Sequence, residues 1–525
     1  MAEAVAQQQE KNSGSGGMWL SLLAILMGTF VAILNNSLIT VALPALVNIF
    51  GSTTETMQWV MTGYMLANAV MIPMSGAFSV KFGSKRVFVL SLAAFTFCSV
   101  LCSIAWSDTA LIVFRVLQGI SGGMIMPIGM AMIYMIVPRE KIGMALGVFG
   151  IASMTAPALG PTLGGYLIEY FNWHFLFLIG VPVGVFAVVI CMALLKETPR
   201  QPDLPFDYAG AALSIVGFGA LLLAFSKGQS EGWDSFFIVS LFFVAIFSLL
   251  LFVWVELGKE QPLLDLRLLK IPVFSISILT SGFVMMGMMG GVFLMPIFLQ
   301  NIQGLTAMES GILLMPQSIA MAVMMPISGK LMDKYGVGPI GFVGLVVMTV
   351  TTLELYNLAS DTPHEWLDMI LTIRGLGIGL CMMTLSTVGM NALPRQSISN
   401  GSSLSNVLRQ VMSSFAIALI TVVMQERQIF HLASISDNLN AEMATSLLAN
   451  LSGLYLQAGV DSASGTAGAT SILYGIMAKE AMVRGIADTF LISAIPIAFS
   501  IFLLYFLHKK PEKANEAGNE QKTAA

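Results

Sequence analysis

Three arginines, Arg115, Arg374 and Arg409, interrupt long apolar stretches of this chain. A guanidinium stays charged and offers five N–H donors in a fixed fork. Facing lipid it would cost roughly 2.5 to 3.5 kcal/mol even on the lenient insertion scale, so each must face protein or water. Arg115 is followed by Gln118, Gly119, Gly122, Gly123 and Pro127, and Arg374 by Gly375. Such small residues and prolines allow close helix approach and expose carbonyls that a guanidinium can hold. Two readings of Arg115 stand together: a tie between helices and a member of a proton relay. Arg409 belongs to a polar set, Ser402, Asn406, Arg409 and Ser413, spaced by four, three and four residues and so on one helical face, with Ser405 and Gln410 beside it. That stripe is expected to line a wet cavity, against the competing reading of a polar seam between helices. Arg409 is the residue expected to meet anionic groups or a carboxylate partner.

A carboxyl group inside a membrane helix would be a natural proton carrier. Glu354 is the favoured candidate, about 22 Å along its helix from Pro339 at 1.5 Å per residue. The competing reading places it near enough to the interface to be solvated. Asp368 and Asp488 are further helix-end carboxylates, while Asp207, Glu256, Asp265 and Glu309 read as caps or interface anchors. The histidines His174, His364, His431 and His508 show no metal-ligand spacing, and the four cysteines all lie in apolar runs. The glycine-rich segments lack the lysine of a nucleotide phosphate loop. Enzymatic chemistry, a metal site, any cofactor and ATP-driven work are therefore not expected.

The elements that must position these groups are membrane helices. The 525 residues are 56% hydrophobic and only 10% charged, against about 25% charged in soluble domains. Apolar runs near the bilayer-spanning length of about 20 residues predict helices at 18–39, 56–79, 87–105, 109–136, 142–168 and 174–194. Two more follow at 208–226 and 235–256, then six at 273–300, 307–331, 338–358, 366–390, 398–425 and 486–507. The chain thus divides into a solvated tail (1–17), a six-helix bundle (18–194), a linker with two extra helices (195–272), a second six-helix bundle (273–507) with an outer loop at 427–484, and a second tail (508–525). Short helices covering the outer mouth are expected in that loop.

With both termini cytosolic, cytosolic segments hold 18 of the 25 basic residues and outer loops only Lys227, Arg427, Lys479 and Arg484. This alternation matches the positive-inside rule and fixes the helix count. The second and tenth helices end in similar loops, Gly76-Ala-Phe-Ser-Val-Lys-Phe-Gly83 and Gly329-Lys-Leu-Met-Asp-Lys-Tyr-Gly336, offset by 253 residues. Two related halves around a midplane site are a common transporter plan.

Within the fifth helix, Ala156 to Gly165 carries Pro157, Gly160, Pro161, Gly164 and Gly165, a kinked and smooth-faced segment suited to gating. The segment Leu111 to Gly123 resembles the fourth-helix signature of the major facilitator superfamily, and Gly160-Pro161 with Gly164-Gly165 resembles its antiporter signature. Val41-Ala-Leu-Pro44, Gln58-Trp59-Val-Met-Thr62 with Tyr64, Val181-Pro182-Val-Gly184 and Pro262-Leu-Leu-Asp265-Leu-Arg267 are similar to the fourteen-helix drug:proton antiporter branch, the EmrB/QacA type. The resemblance spans both halves and the extra pair.

It implies an all-α integral membrane protein of the cell membrane that exports hydrophobic or amphipathic small molecules by alternating access in exchange for protons. It admits a membrane-fusion adaptor protein as a further partner. Arg115, Gln118, Gly119, Gly160, Pro161, Gly164, Gly165, Asp333, Glu354 and Arg374 are the expected gating and coupling residues. Asn35, Asn36, Trp59, Tyr64, Met289, Ser402, Asn406 and Arg409 are expected to line the substrate cavity. Two positions depart from the family: Asn35 and Asn36 stand where an acidic residue is usual, and Val80 where the loop normally has Asp. Those departures raise the rival reading, export or facilitated passage of one endogenous amphiphile such as a fatty acid or lipid. The flexible methionines, Met285, Met286, Met288, Met289 and Met295 among them, suit a pocket that repacks.

Overall fold

The computed structural model describes residues 15–138, 141–198, 206–438, 441–457 and 461–507. The two solvated tails expected at 1–17 and 508–525 therefore lie almost wholly outside the described residues. Among the described residues all regular structure is helical: α1 (Ser15–Phe50), α2 (Thr54–Phe82), α3 (Ser84–Ser103), α4 (Asp108–Ile136), α5 (Ile142–Tyr170) and α6 (Phe175–Leu194) come first. The extra pair is α7 (Tyr208–Glu231) and α8 (Phe236–Gly258). Then come α9 (Pro272–Ile297), α10 (Ala307–Tyr335), α11 (Val337–Glu354), α12 (His364–Asn391), α13 (Ile398–Asn438), α14 (Ala441–Gln457) and α15 (Ser462–Leu507). Among the described residues thirteen helices are long and apolar enough to cross a membrane, and α5, at 29 residues, is a further long helix of the first bundle.

Several helices start where the sequence supplies a partner for their free amides. Ser107 caps α4 by accepting from Ala110 N, Asp207 caps α7 through Gly210 N at 2.7 Å, and Thr306 with Glu309 forms a capping box on α10. Asp265 accepts from Arg267 N, and Glu256 accepts from Leu264 N at 3.1 Å, so both anchor the linker.

The two halves repeat one packing plan. In the first, α2 and α3 pack on α4, α1 packs on α5 and α6, and α3 packs on α6; in the second, α10 and α11 pack on α12, α9 on α13 and α15, and α11 on α15. The 253-residue offset carries Pro73 onto Pro326 and Gly83 onto Gly336. Both glycines have positive φ, 93° and 81°, and turn the chain sharply between successive helices, a conformation that costs glycine nothing.

The hydropathy pattern ends the thirteenth helix near 425 and starts the last near 486. In the structure α13 runs on to Asn438, α15 already begins at Ser462, and α14 lies between them. The polar composition beyond 425 ends the membrane span without ending the helix. The outer segment is thus mostly two extended membrane helices rather than separate short ones.

The extra pair is not an independent unit. α7 packs against both α2 and α13, one from each half, whereas α8 packs chiefly on α7. The outer face of α8 leaves Phe236, Phe243, Leu250 and Trp254 exposed, as a lipid-facing helix should.

Candidate functional site

Arg115 is fully buried among four helices. Its Nε donates to the Val60 carbonyl of α2 at 3.1 Å, and its Nη1 donates to Asn35 Oδ1 of α1 at 2.9 Å and to Gln118 Oε1 at 2.7 Å. The guanidinium lies 4.0 Å from the centre of the Tyr64 ring, and Gln118 Nε2 passes the chain of bonds to Ser99 Oγ of α3 at 2.6 Å. Asn35 and Tyr64 are therefore held in a wall of the first bundle. They do not line an open cavity, because the arginine that needs them is shut away from solvent.

Replacing Arg115 with Met should leave the Val60 and Asn35 acceptors without donors, at about 1–3 kcal/mol for each buried group. The expected result is a lower melting temperature in detergent, while Arg115→Lys, which keeps a donor and the charge, should lose less. Equal melting of wild type and Arg115→Met would refute the tie.

Arg374 is buried in the second bundle, donating from Nη2 to the Gly287 carbonyl of α9 at 2.7 Å and from Nε to Thr352 Oγ1 of α11 at 3.2 Å. A Cβ on Gly291 would run into its Nη1, so that glycine makes the room. The two arginines are not strict counterparts. Gly119 and Gly123 of α4 approach the carbonyls of Tyr64 and Asn68, as Gly375 and Gly379 of α12 approach those of Gln317 and Met321. The glycines step by 256 residues, and that register sets Arg374 against Gln118, one turn away from Arg115.

In α5, Gly160 and Gly164 pack on Ser37 and Leu38 of α1, whereas Gly165 faces open space. Earlier in the same helix, a Cβ on Gly147 would come within 2.5 Å of Pro326 in α10. α5 is thus wedged between its own half and the other one. The side chains of Pro161 and Asp333 lie outside the described residues.

The halves also meet where α2, α4, α12 and α13 converge. Ser75 Oγ lies 2.7 Å from Ser403 Oγ, Ser402 Oγ donates to the Pro127 carbonyl at 2.9 Å, and Tyr134 reaches the Ser386 carbonyl at 3.4 Å. All of these contacts belong to the end of the molecule that bears Lys81, Lys85, Lys330 and Lys334. On the stripe of α13, Ser402 and Asn406 are buried, whereas Arg409 and Ser413 are partly exposed. The stripe is a buried seam at its start and becomes partly exposed a turn later. Asn406 donates within its own helix to the Ser402 carbonyl, and Arg409 Nη2 donates to Ser386 Oγ at 3.0 Å.

Other expected residues fall elsewhere. Glu354 is the exposed last residue of α11, hydrogen-bonded to Asn357, because that helix is only 18 residues long and ends there. Trp59 faces away from the centre, under Lys227 of α7 at 5.6 Å. Asn36 is half-buried with its Oδ1 unpartnered, and Met289 packs between two apolar clusters of the second bundle.

Spacing did not mark three further features. Asp488 of α15 is bound by Arg427 Nε at 2.6 Å and lies 2.7 Å from His431 Nε2, which ties the outer ends of α13 and α15. An apolar cavity of about 270 Å³ lies between α9, α13 and α15, lined by Phe283, Met286, Ala416, Ile420 and Phe499 among others. Gln229 of α7 donates to Gln425 of α13, with Phe225 stacked edge-on against Phe415 nearby. The signal for the last was present in part, since Gln229 is an amide near the end of an otherwise apolar helix.

Two repeated helical bundles that meet at one end, each with a buried cation inside, follow the plan of a membrane transporter. The comparisons agree on its family. The chain belongs to the Major Facilitator Superfamily, whose model matches residues 25–257 and 206–417. It is 36% identical over 507 residues to the uncharacterized MFS-type transporter YhcA of Bacillus subtilis, covering 96% of this chain and 95% of that protein. It is 30% identical over 431 residues to the multidrug export protein EmrB of Haemophilus influenzae, covering 81% and 84% of the two chains. With the lincomycin resistance protein LmrB of Bacillus subtilis it shares 29% over 418 residues, covering 79% and 87%. Its fold is similar to that of the human organic anion transporter MFSD10, with a TM-score of 0.59 at 13% identity, covering 92% of this chain and 100% of that one.

Proposed function

We propose that this protein exports hydrophobic or amphipathic small molecules across the cell membrane by alternating access, with both termini and the basic end cytosolic. The observation that carries the reading is the seal at the basic end, with the polar face of α13 emerging from it into the space between the halves. In that orientation the structure is closed to the cytosol, and a rocking of the bundles about α5 and α10 would open it. Similarity to multidrug and lincomycin resistance proteins supports export of varied apolar molecules. A membrane-fusion adaptor would meet the protein on the outer extensions of α13 and α15.

Proton exchange needs a carboxyl group that can lose its water. Asp368 of α12 suits this better than the exposed Glu354, being half-buried with one buried oxygen that lacks a partner. A second reading, export without proton exchange, is favoured by one observation: among the described residues neither six-helix bundle fully buries a carboxylate, and Asn35 occupies the position facing Arg115. Proteoliposomes loaded with an amphipathic dye, with and without an imposed pH gradient, separate the two. Gradient-dependent movement that Asp368→Asn abolishes and Glu354→Gln keeps is the expected result. Movement indifferent to the gradient in all three proteins would leave export standing and remove proton exchange. A dye that never moves would overturn export itself.

A further inference from the structure

The fully buried charges of the two six-helix bundles, among the described residues, are Arg115 and Arg374, both cationic. The carboxylates near the interior are offset or peripheral. Asp488 is paired with Arg427 and His431, Asp207 and Glu256 belong to the extra pair beside Lys259, Glu354 is exposed, and Asp368 lies in the second turn of α12. The fully buried charge inside the two bundles is thus positive, and its low-dielectric surroundings strengthen its field.

Arg409 is the cation that reaches that space. Its described hydrogen-bond partner is the Ser386 hydroxyl, its Nε is buried without an acceptor, and it forms no ion pair among the described residues. Seven and eleven residues further along α13 come Ala416 and Ile420, on the same helical face at 3.6 residues per turn. These two line the apolar cavity of about 270 Å³ between α9, α13 and α15. One helix face therefore presents an unpaired guanidinium and, about 10 Å further along, an apolar slot.

We propose that this face binds a single-chain anionic amphiphile, its carboxylate on Arg409 and its tail in the slot bounded by Ala416 and Ile420. The inference rests on the export reading for its purpose and on geometry for its site. An incoming carboxylate would pair with the partly exposed guanidinium in a charge-assisted bond. The slot is mainly apolar, lined by Phe283, Met286 and Phe499, with the hydroxyls of Thr489 and Ser493 bonded back to their own helix.

Binding of laurate, dodecanol and dodecyltrimethylammonium to the full chain in phosphatidylcholine nanodiscs tests the proposal. Laurate should bind tightest of the three. Arg409→Gln should weaken laurate about tenfold or more, the size of a lost hydrogen bond to a charged group, and leave dodecanol unchanged. Arg409→Lys should lie between, and Ile420→Trp, which fills the slot, should weaken laurate and dodecanol alike. Equal or tighter binding of the ammonium compound, laurate binding indifferent to Arg409→Gln, or laurate binding detected only after phosphatidylglycerol is added would each overturn it. If laurate binds as expected while no amphiphile moves in proteoliposomes, the site stands and the export reading fails.

Discussion

Joined through Ser75→Cys and Ser403→Cys under mild oxidation, the two halves should stop transporting, and reduction should restore activity. The native hydroxyl oxygens lie 2.7 Å apart across the seam between α2 and α13, and both side chains are fully enclosed. A Cβ on Gly76 would come within 2.9 Å of Asn400 Oδ1 and Ser403 Oγ, so the absent side chain lets the two helices approach closely at the same place. On the proposed alternating-access cycle this seam must part once in each turnover to open the basic end. The expected loss is to the background of empty vesicles, with each single variant active. The four native cysteines are buried and lie on other helices or away from the seam, so they should not compete for the bond. A crosslink that forms in full while transport continues would mean that the basic end does not open during the cycle, and the rocking mechanism would fall.

Gly123→Val should be the most destabilising substitution in the first bundle that adds no charge. A Cβ there would sit inside the Asn68 carbonyl oxygen and 3.0 Å from Met71 Cβ, and backbone cannot rotate aside as a side chain can. Pushing α4 off α2 disturbs the same helix pair that shields Arg115, so a cost at or above the usual overpacking penalty of about 1–3 kcal/mol is expected. Gly379→Val should repeat the effect in the second bundle, where the added Cβ would lie 2.7 Å from the Met321 carbonyl oxygen. Gly165→Val is the matched control, since nothing lies within 4 Å of its Cβ. Thermal melting in detergent, followed by size-exclusion recovery, reads all three. If Gly165→Val melted as low as Gly123→Val, the argument from helix approach would be wrong.

Much of this architecture was legible in the sequence because a bilayer forces helices to declare their length. The apolar runs, the alternation of basic loops and the 253-residue repeat of Gly76 to Gly83 in Gly329 to Gly336 follow from solvent and symmetry alone. Faces were harder to read. Trp59 belongs with Tyr64 in sequence, yet it turns to Lys227 because α7 docks on that side of α2, and nothing in the periodicity of α2 tells lipid from a neighbouring helix. The distance of Glu354 from Pro339 allows both a deep and a solvated position, and only the end of α11 at Glu354 decides between them. Asn35 looked like a cavity amide, and only the path of Arg115 across α1, α2 and α4 makes it a structural partner. The stripe from Ser402 to Ser413 was read as one surface, but its two ends have different neighbours.

The position of α7 also bears on speed. It is fastened to α2 through Lys227, Glu55 and Trp59 and to α13 through Gln229 and Phe225. On the proposed rocking cycle α7 can ride with one half only, so the other fastening would have to slip on every turnover. In that cycle the extra pair would act as a drag, and shortening Gln229 or Phe225 would speed transport while loosening the grip on the resting state.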